Sequence, residues 1–285
     1  MASAAFVSAA VSLFPVSPAQ AQSFTWGGSG STTSSADYQL PTNWSTTSPG
    51  APPILPTQSA IFDSMGSATV TIGPGPMLPD SWTFTANSQS YTISGNPVGF
   101  AVTGPSGGLI NRANSGQTIT ISANINDGLA PGVMVQQLGN STLVLAGTNG
   151  YTGGTLISAG TVQVTNADSV GTGTITLNGG TFQMQSPTVS SVAFSNNIAV
   201  NAAGGTVDAN GAQVNLLGVI ADGAGGGVLR LIDSSASGFS NIRLSGVNTT
   251  AEARWWSIRP SSSPTTSRSG QARSRWTMRR SRPTA

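Results

Sequence analysis

The chain has 285 residues, with 11 Lys or Arg, 9 Asp or Glu and no His or Cys; about 7% is charged, where a soluble domain ordinarily carries roughly a quarter. Without His or Cys, neither Ser/His/Asp nor Cys/His catalysis can be assembled, and the softer ligands of the usual zinc sites are missing. At 38% apolar residues the chain is too hydrophobic for the disordered class, and its length allows one large domain or two modest ones.

Every basic residue is Arg, and eight of them (Arg254, Arg259, Arg268, Arg273, Arg275, Arg279, Arg280 and Arg282) follow residue 250, beside the single acid Glu252. Residues 1 to 250 carry three Arg against eight acids, a balance of −5. The body is therefore acidic, and nucleic acid is not an expected partner.

From the N-terminus, Ala4 to Val16 form an apolar run of small residues followed by Ala19-Gln20-Ala21. This fits the apolar region and cleavage box of a secretory signal peptide, residues 1 to 21. No Lys or Arg precedes the run and Pro15 interrupts it, so an Ala/Ser-rich terminus is the alternative. No other run reaches the roughly 18 apolar residues of a membrane-spanning helix.

Beyond residue 21, short apolar/polar alternations end at Gly or Asn, the period of β-strands. Examples are Thr69-Val70-Thr71-Ile72, Thr118-Ile119-Thr120-Ile121, Thr142-Leu143-Val144-Leu145, Thr161-Val162-Gln163-Val164, Thr174-Ile175-Thr176-Leu177 and Thr181-Phe182-Gln183-Met184. One phrase recurs: Gly160-Thr161-Val162-Gln163-Val164, Gly180-Thr181-Phe182-Gln183-Met184, Gly205-Thr206-Val207-Asp208-Ala209 and, more loosely, Gly227-Val228-Leu229-Arg230-Leu231. Spacings of this size match one coil of a solenoid, so the expected fold is an all-β parallel β-helix over residues 22 to 250, in roughly ten coils of about 50 Å in all. A β-sandwich is the alternative, but it does not predict the same phrase at the same point of each unit.

The expected inward residues are Leu143, Leu145, Val162, Val164, Ile175, Leu177, Phe182 and Met184, with Thr and Gln facing solvent. Gly153-Gly154 and Gly179-Gly180 are expected to supply positive φ at coil corners.

Residues 142 to 164, with their Asn149-Gly150-Tyr151-Thr152-Gly153-Gly154-Thr155 core, closely resemble the autotransporter-associated β-strand repeat of bacterial autotransporter passenger domains. Looser similarity runs through Asn43-Trp44, Ala60-Ile61-Phe62-Asp63 and Gly204 to Gly227, extending the resemblance over most of residues 36 to 250. It implies a right-handed β-helix exported to the cell surface, normally with an outer-membrane β-barrel in the same polypeptide. No stretch after residue 250 shows the alternating strands of about ten residues that a barrel needs, so the barrel is expected to be absent from this chain.

No catalytic, cofactor-binding or metal-binding residue is assigned. Gly104-Pro105-Ser106-Gly107-Gly108 is similar to a serine-protease nucleophile loop, but Pro105 stands where Asp is needed and no His can act as base, so a turn is expected. Asp222-Gly223-Ala224-Gly225-Gly226-Gly227 lacks the Asp ladder of a calcium turn and reads as a coil corner. Asp63, Asp127, Asp168, Asp208, Asp222 and Asp233 are spread singly, with Asp208 and Asp233 a possible pair one coil apart; solvated turn residues are the expectation. Trp26, Trp44 and Trp82 form either a sugar-stacking surface or, as expected here, the aromatic core of an N-terminal cap.

The function classes left are a non-catalytic structural or adhesive passenger, a polysaccharide lyase or hydrolase, and a self-associating matrix protein. The first is expected: it acts at the cell surface or outer membrane, or is released, and its partner is a host or neighbouring-cell glycan or protein, or a second copy.

At residue 251 the strand period stops, just after Ile242-Arg243-Leu244-Ser245-Gly246-Val247-Asn248 repeats the pattern of Leu143 to Asn149. A coding sequence AAC ACC TAC AGC GGA GGC ACG GTG GTG reads Asn-Thr-Tyr-Ser-Gly-Gly-Thr-Val-Val, and loss of one T turns it into Asn248 to Arg254 followed by Trp-Trp. Residues 251 to 285 are accordingly expected to be a frameshifted, disordered tail without a partner, with the barrel encoded downstream in the original frame. Sequencing past codon 249 should show a Tyr-x-Gly-Gly-Thr phrase and a barrel in the neighbouring frame. If neither is there, the Arg-rich tail is native.

Overall fold

The computed structural model describes residues 22–27, 35–45, 52–185, 191–235, 241–246 and 248–249. The signal peptide expected over residues 1 to 21 and the tail expected over 251 to 285 lie outside the described residues. Among the described residues there are 22 strands, three 3₁₀ turns and no α-helix.

Strands of three to five residues in which alternate side chains are apolar cannot bury one face alone. They do so by winding. The chain passes repeatedly through a nine-stranded sheet, from Gln22–Thr25 to Ile220–Asp222, and an eight-stranded sheet, from Thr69–Ile72 to Leu229–Ile232. A third sheet of Ser191–Phe194, Gln213–Leu216 and Asn241–Leu244 joins toward the C-terminal end, and Val98–Phe100 pairs with Ile125–Asp127. Every pairing between these strands is parallel. The molecule is thus an all-β parallel β-solenoid enclosing one continuous core, from Phe24 to Ile242.

The eight strands of the second sheet are separated by seven turns of the solenoid, fewer than the roughly ten expected at a uniform period of 20 to 25 residues. The shortfall lies in the N-terminal half. The first step of the first sheet consumes residues 22 to 58, and the step from Gly108 to Val135 is also long. The nine strands of the first sheet give a rod of about 40 Å at the usual strand separation.

The repeated phrase fixes the register as expected. Val162 pairs with Phe182 and Phe182 with Val207, and the eight side chains assigned inward are at most 1% exposed. Outside, Thr118, Thr142, Thr161, Thr181 and Thr206 stand in register in one column.

Three expectations need correction. Leu231, not Leu229, pairs with Val207; a slip of two residues keeps the inward and outward faces unchanged, so alternation cannot detect it. Asn241–Leu244 stacks on Gln213–Leu216, with Ile242 on Val214 and Leu244 on Leu216, and Asn248 is bridged to Ile220 of the first sheet. Asn241–Leu244 lies in the third sheet, whereas Thr142–Leu145 lies in the second, so the strands that open the two similar phrases stand on different faces of the solenoid. Finally, each Gly pair divides its task. Gly154 (φ +92°) and Gly179 (φ +118°) supply the positive φ, while Gly153 and Gly180 permit close approach: a Cβ there would lie 2.3 Å from the Gly132 carbonyl oxygen and 2.5 Å from Ile157 Cγ2, respectively.

The N-terminal edge is closed by residues 35–45, which bridge Trp44 antiparallel to Trp26 and Asp37 to Thr71. Trp26, Trp44 and Trp82 are each at most 1% exposed and pack with Tyr38, Phe62 and Phe84. Their indole nitrogens donate to Ser67 O, Tyr38 O and Tyr38 Oη. They form the core of a cap, as expected, and offer no stacking surface to a sugar.

Candidate functional site

The most specific phrase in the sequence, Asn149 to Thr155, turns the chain from the second sheet back to the first. Each of its residues engages a neighbouring coil. Asn149, 5% exposed, accepts the Ile125 N–H at 2.7 Å and donates to Ser169 O at 2.6 Å, joining the coil before to the coil after. Gly150 N–H donates to Ile125 O and to Asn126 Oδ1. Tyr151 is fully buried, with its hydroxyl 2.7 Å from Thr155 Oγ1. Burial holds that phenol well above its usual range, because the phenolate would lose its water. Thr152 donates its hydroxyl to Asp127 Oδ2 and accepts the Gly132 N–H. Gly153 and Gly154 leave no room for a Cβ against Gly132 and Thr174.

Asparagine repeats this clamp elsewhere. Asn124, Asn197 and Asn201 accept the N–H groups of Thr148, Val219 and Ala224, one coil further on. An amide can donate and accept at once without charge, so stacked copies do not repel.

The six aspartates are not brought together. Asp63 accepts the Met65 N–H, and Asp127 those of Val133 and Thr152. Asp168 is exposed in the 3₁₀ turn Ala167–Val170, and Asp222 is exposed at the end of the strand Ile220–Asp222. Asp208 and Asp233 do lie one coil apart, since Asp208 pairs with Ile232, but each carboxylate is engaged by backbone. Asp208 Oδ1 accepts the N–H groups of Asn210 and Ser234, and Asp233 Oδ1 those of Gly211 and Ser235. Asp208 is only 2% exposed, which the expectation of a solvated turn missed. It ends an outward amide ladder in which Gln163 donates to Gln183 and Gln183 to Asp208 Oδ2. Among the described residues, no three Asp or Glu gather within reach of one metal ion.

Gly104–Ser106 is a short 3₁₀ turn whose Pro105 carbonyl accepts from Gln136 Nε2. The Asp222 to Gly227 stretch is a coil corner with Gly225 and Gly226 at positive φ.

Short coils clamped side to side by Asn and Gly, around a core of stacked aliphatic residues, define a solenoid repeat protein. Residues 135–164 match the family model of the passenger-associated-transport-repeat. The matched residues are one coil and the two strands after it, from Val135–Gln137 to Thr161–Val164. The chain thus carries this repeat within a β-solenoid, consistent with an autotransporter passenger domain. Repeats of this family occur in secreted autotransporter passengers, which implies export. No curated protein and no solved structure matches the chain.

Proposed function

We propose that the chain is a non-catalytic autotransporter passenger, displayed at the cell surface or released, that works as an adhesive or structural rod. The observation that carries this reading is the use made of the polar side chains. The Asn and Asp residues of the coil corners are engaged in holding one coil to the next, while Thr and Gln stand outward in columns along the rod. Such a surface offers many equivalent weak contacts, which suit multivalent attachment. A host or neighbouring-cell glycan or protein, or a second copy, is the proposed partner.

Two measurements test the proposal. Particles coated with the chain should adhere to cells or to each other, and incubation with a panel of polysaccharides, esters and peptides should give no turnover. Sustained release of reducing sugar, abolished by changing a single Asp, would overturn it in favour of a polysaccharide-active enzyme.

A further inference from the structure

The third sheet carries a feature that the repeat does not require. Its inward residues Val192, Phe194, Val214, Leu216 and Ile242 are buried, and its outward residues stack in two columns. Ser191, Gln213 and Asn241 form one, and Ala193, Asn215 and Arg243 the other. Ser191, Gln213, Asn215, Asn241 and Arg243 line an open concavity of about 220 Å³. It is smaller than the clefts that enclose drug-sized ligands and so suits one ring of a longer chain.

The chemistry of this lining is specific. Among the described residues, Gln213, Asn241 and Arg243 make no side-chain hydrogen bond or ion pair within the chain, so two amides and a guanidinium are free to bind. Asn215 is oriented by Ser245, whose hydroxyl donates to its Oδ1 at 2.8 Å, leaving the Asn215 amino group as a donor. Arg243 is the only charged side chain in the lining. The three strands span two sheet spacings, about 10 Å.

We propose that this concavity binds a uronic-acid residue of an acidic polysaccharide. Arg243 grips the carboxylate through paired N–H donors, and Gln213, Asn215 and Asn241 hydrogen-bond the ring hydroxyls. Among the described residues, Trp26, Trp44 and Trp82 are buried at the other end of the rod, and recognition by this lining rests on charge and hydrogen bonding instead of ring stacking. The proposal rests on the adhesive reading and gives it a ligand class.

The test uses the full chain, titrated calorimetrically with trigalacturonate and with the same oligosaccharide after reduction of its carboxylates to hydroxymethyl groups. The acidic form should bind at least about tenfold more tightly, and Arg243→Gln should erase that preference. Arg230→Gln, in the second sheet, should keep it. Thermal melting of both variants at the wild-type temperature shows that the fold is intact. No binding of trigalacturonate, equal binding of the two sugars, or an acid preference that survives in Arg243→Gln overturns the assignment. If coated particles still adhere to cells in that event, the adhesive reading stands without this site. If they do not adhere, that reading falls by itself.

Discussion

The folded chain should keep a level stability from about pH 6 to pH 9 and lose it steeply above pH 10. The flat range follows from composition, because with no His, Cys or Lys no side chain titrates there apart from Tyr at its upper limit, and Arg keeps its proton throughout. The collapse follows from burial. All three tyrosines, Tyr38, Tyr91 and Tyr151, are at most 1% exposed, and desolvation raises each phenol's pKa. Tyr91 is pushed up to about 12, chiefly by burial and slightly by Asp63, against hydrogen bonding that favours the phenolate, and Tyr38 and Tyr151 go higher. In the unfolded chain a phenol loses its proton near pH 10. Above that point the unfolded state holds fewer protons than the folded one, so stability falls as pH rises. The tyrosine contribution is complete below pH 10 and is lost on the way to the folded values; for Tyr91 alone it is roughly 2 kcal/mol. Urea melts at steps between pH 7 and pH 11.5 would show the fall, and phenolate absorbance should appear together with unfolding. A phenolate signal that titrates near pH 10 while the strands remain intact would show that the tyrosines are not sealed.

How far the sequence disclosed this molecule depends on which physical signal each feature leaves. The column Val162, Phe182, Val207 was legible because alternation fixes the inward face and the repeated Gly-Thr phrase fixes the register. The pairing of Leu231 with Val207 was not, because a two-residue slip leaves alternation untouched. The third sheet was hidden for a similar reason. Ser191–Phe194, Gln213–Leu216 and Asn241–Leu244 alternate like any strand of the second sheet, and only the fold shows that they form a separate face. With it stayed hidden the concavity under Arg243, which is read across three strands and not along one. The burial of Asp208 also left no trace, since Asp before a turn is ordinarily solvated and the Gln183 that covers it lies a full coil earlier. Asn149 could be recognised as part of a repeat, but its two bonds run to residues 24 positions before and 20 after it.

Replacing Gly154 by Ala should be among the most damaging single changes in the rod, at roughly 3 to 5 kcal/mol, because two independent penalties meet there. The residue sits at φ +92°, where an L side chain costs about 1–3 kcal/mol. A Cβ would also lie 2.4 Å from the Thr174 carbonyl oxygen. That oxygen accepts the Thr155 N–H at 3.0 Å, so moving it aside weakens the ladder between two coils. On the other flank, Gly154 O accepts the Val135 N–H at 3.1 Å, which ties the same residue to the coil before. Two controls separate the penalties. Gly116 has φ +86° with nothing within 4 Å of a Cβ, so Gly116→Ala carries the conformational penalty alone. Gly153→Ala carries the steric one, with a Cβ 2.3 Å from Gly132 O. In a solenoid each coil depends on its neighbours, so the damage in Gly154→Ala should be local. Amide exchange should speed up in Val135–Gln137, Thr155–Ile157 and Ile175–Leu177 and stay slow in Gln58–Phe62 and Ser81–Phe84, where the aromatic cap holds the first coils together. If Gly154→Ala exchanges and melts like Gly116→Ala, the close approach to Thr174 is not a constraint, and the second Gly of the repeat phrase serves only to turn the chain.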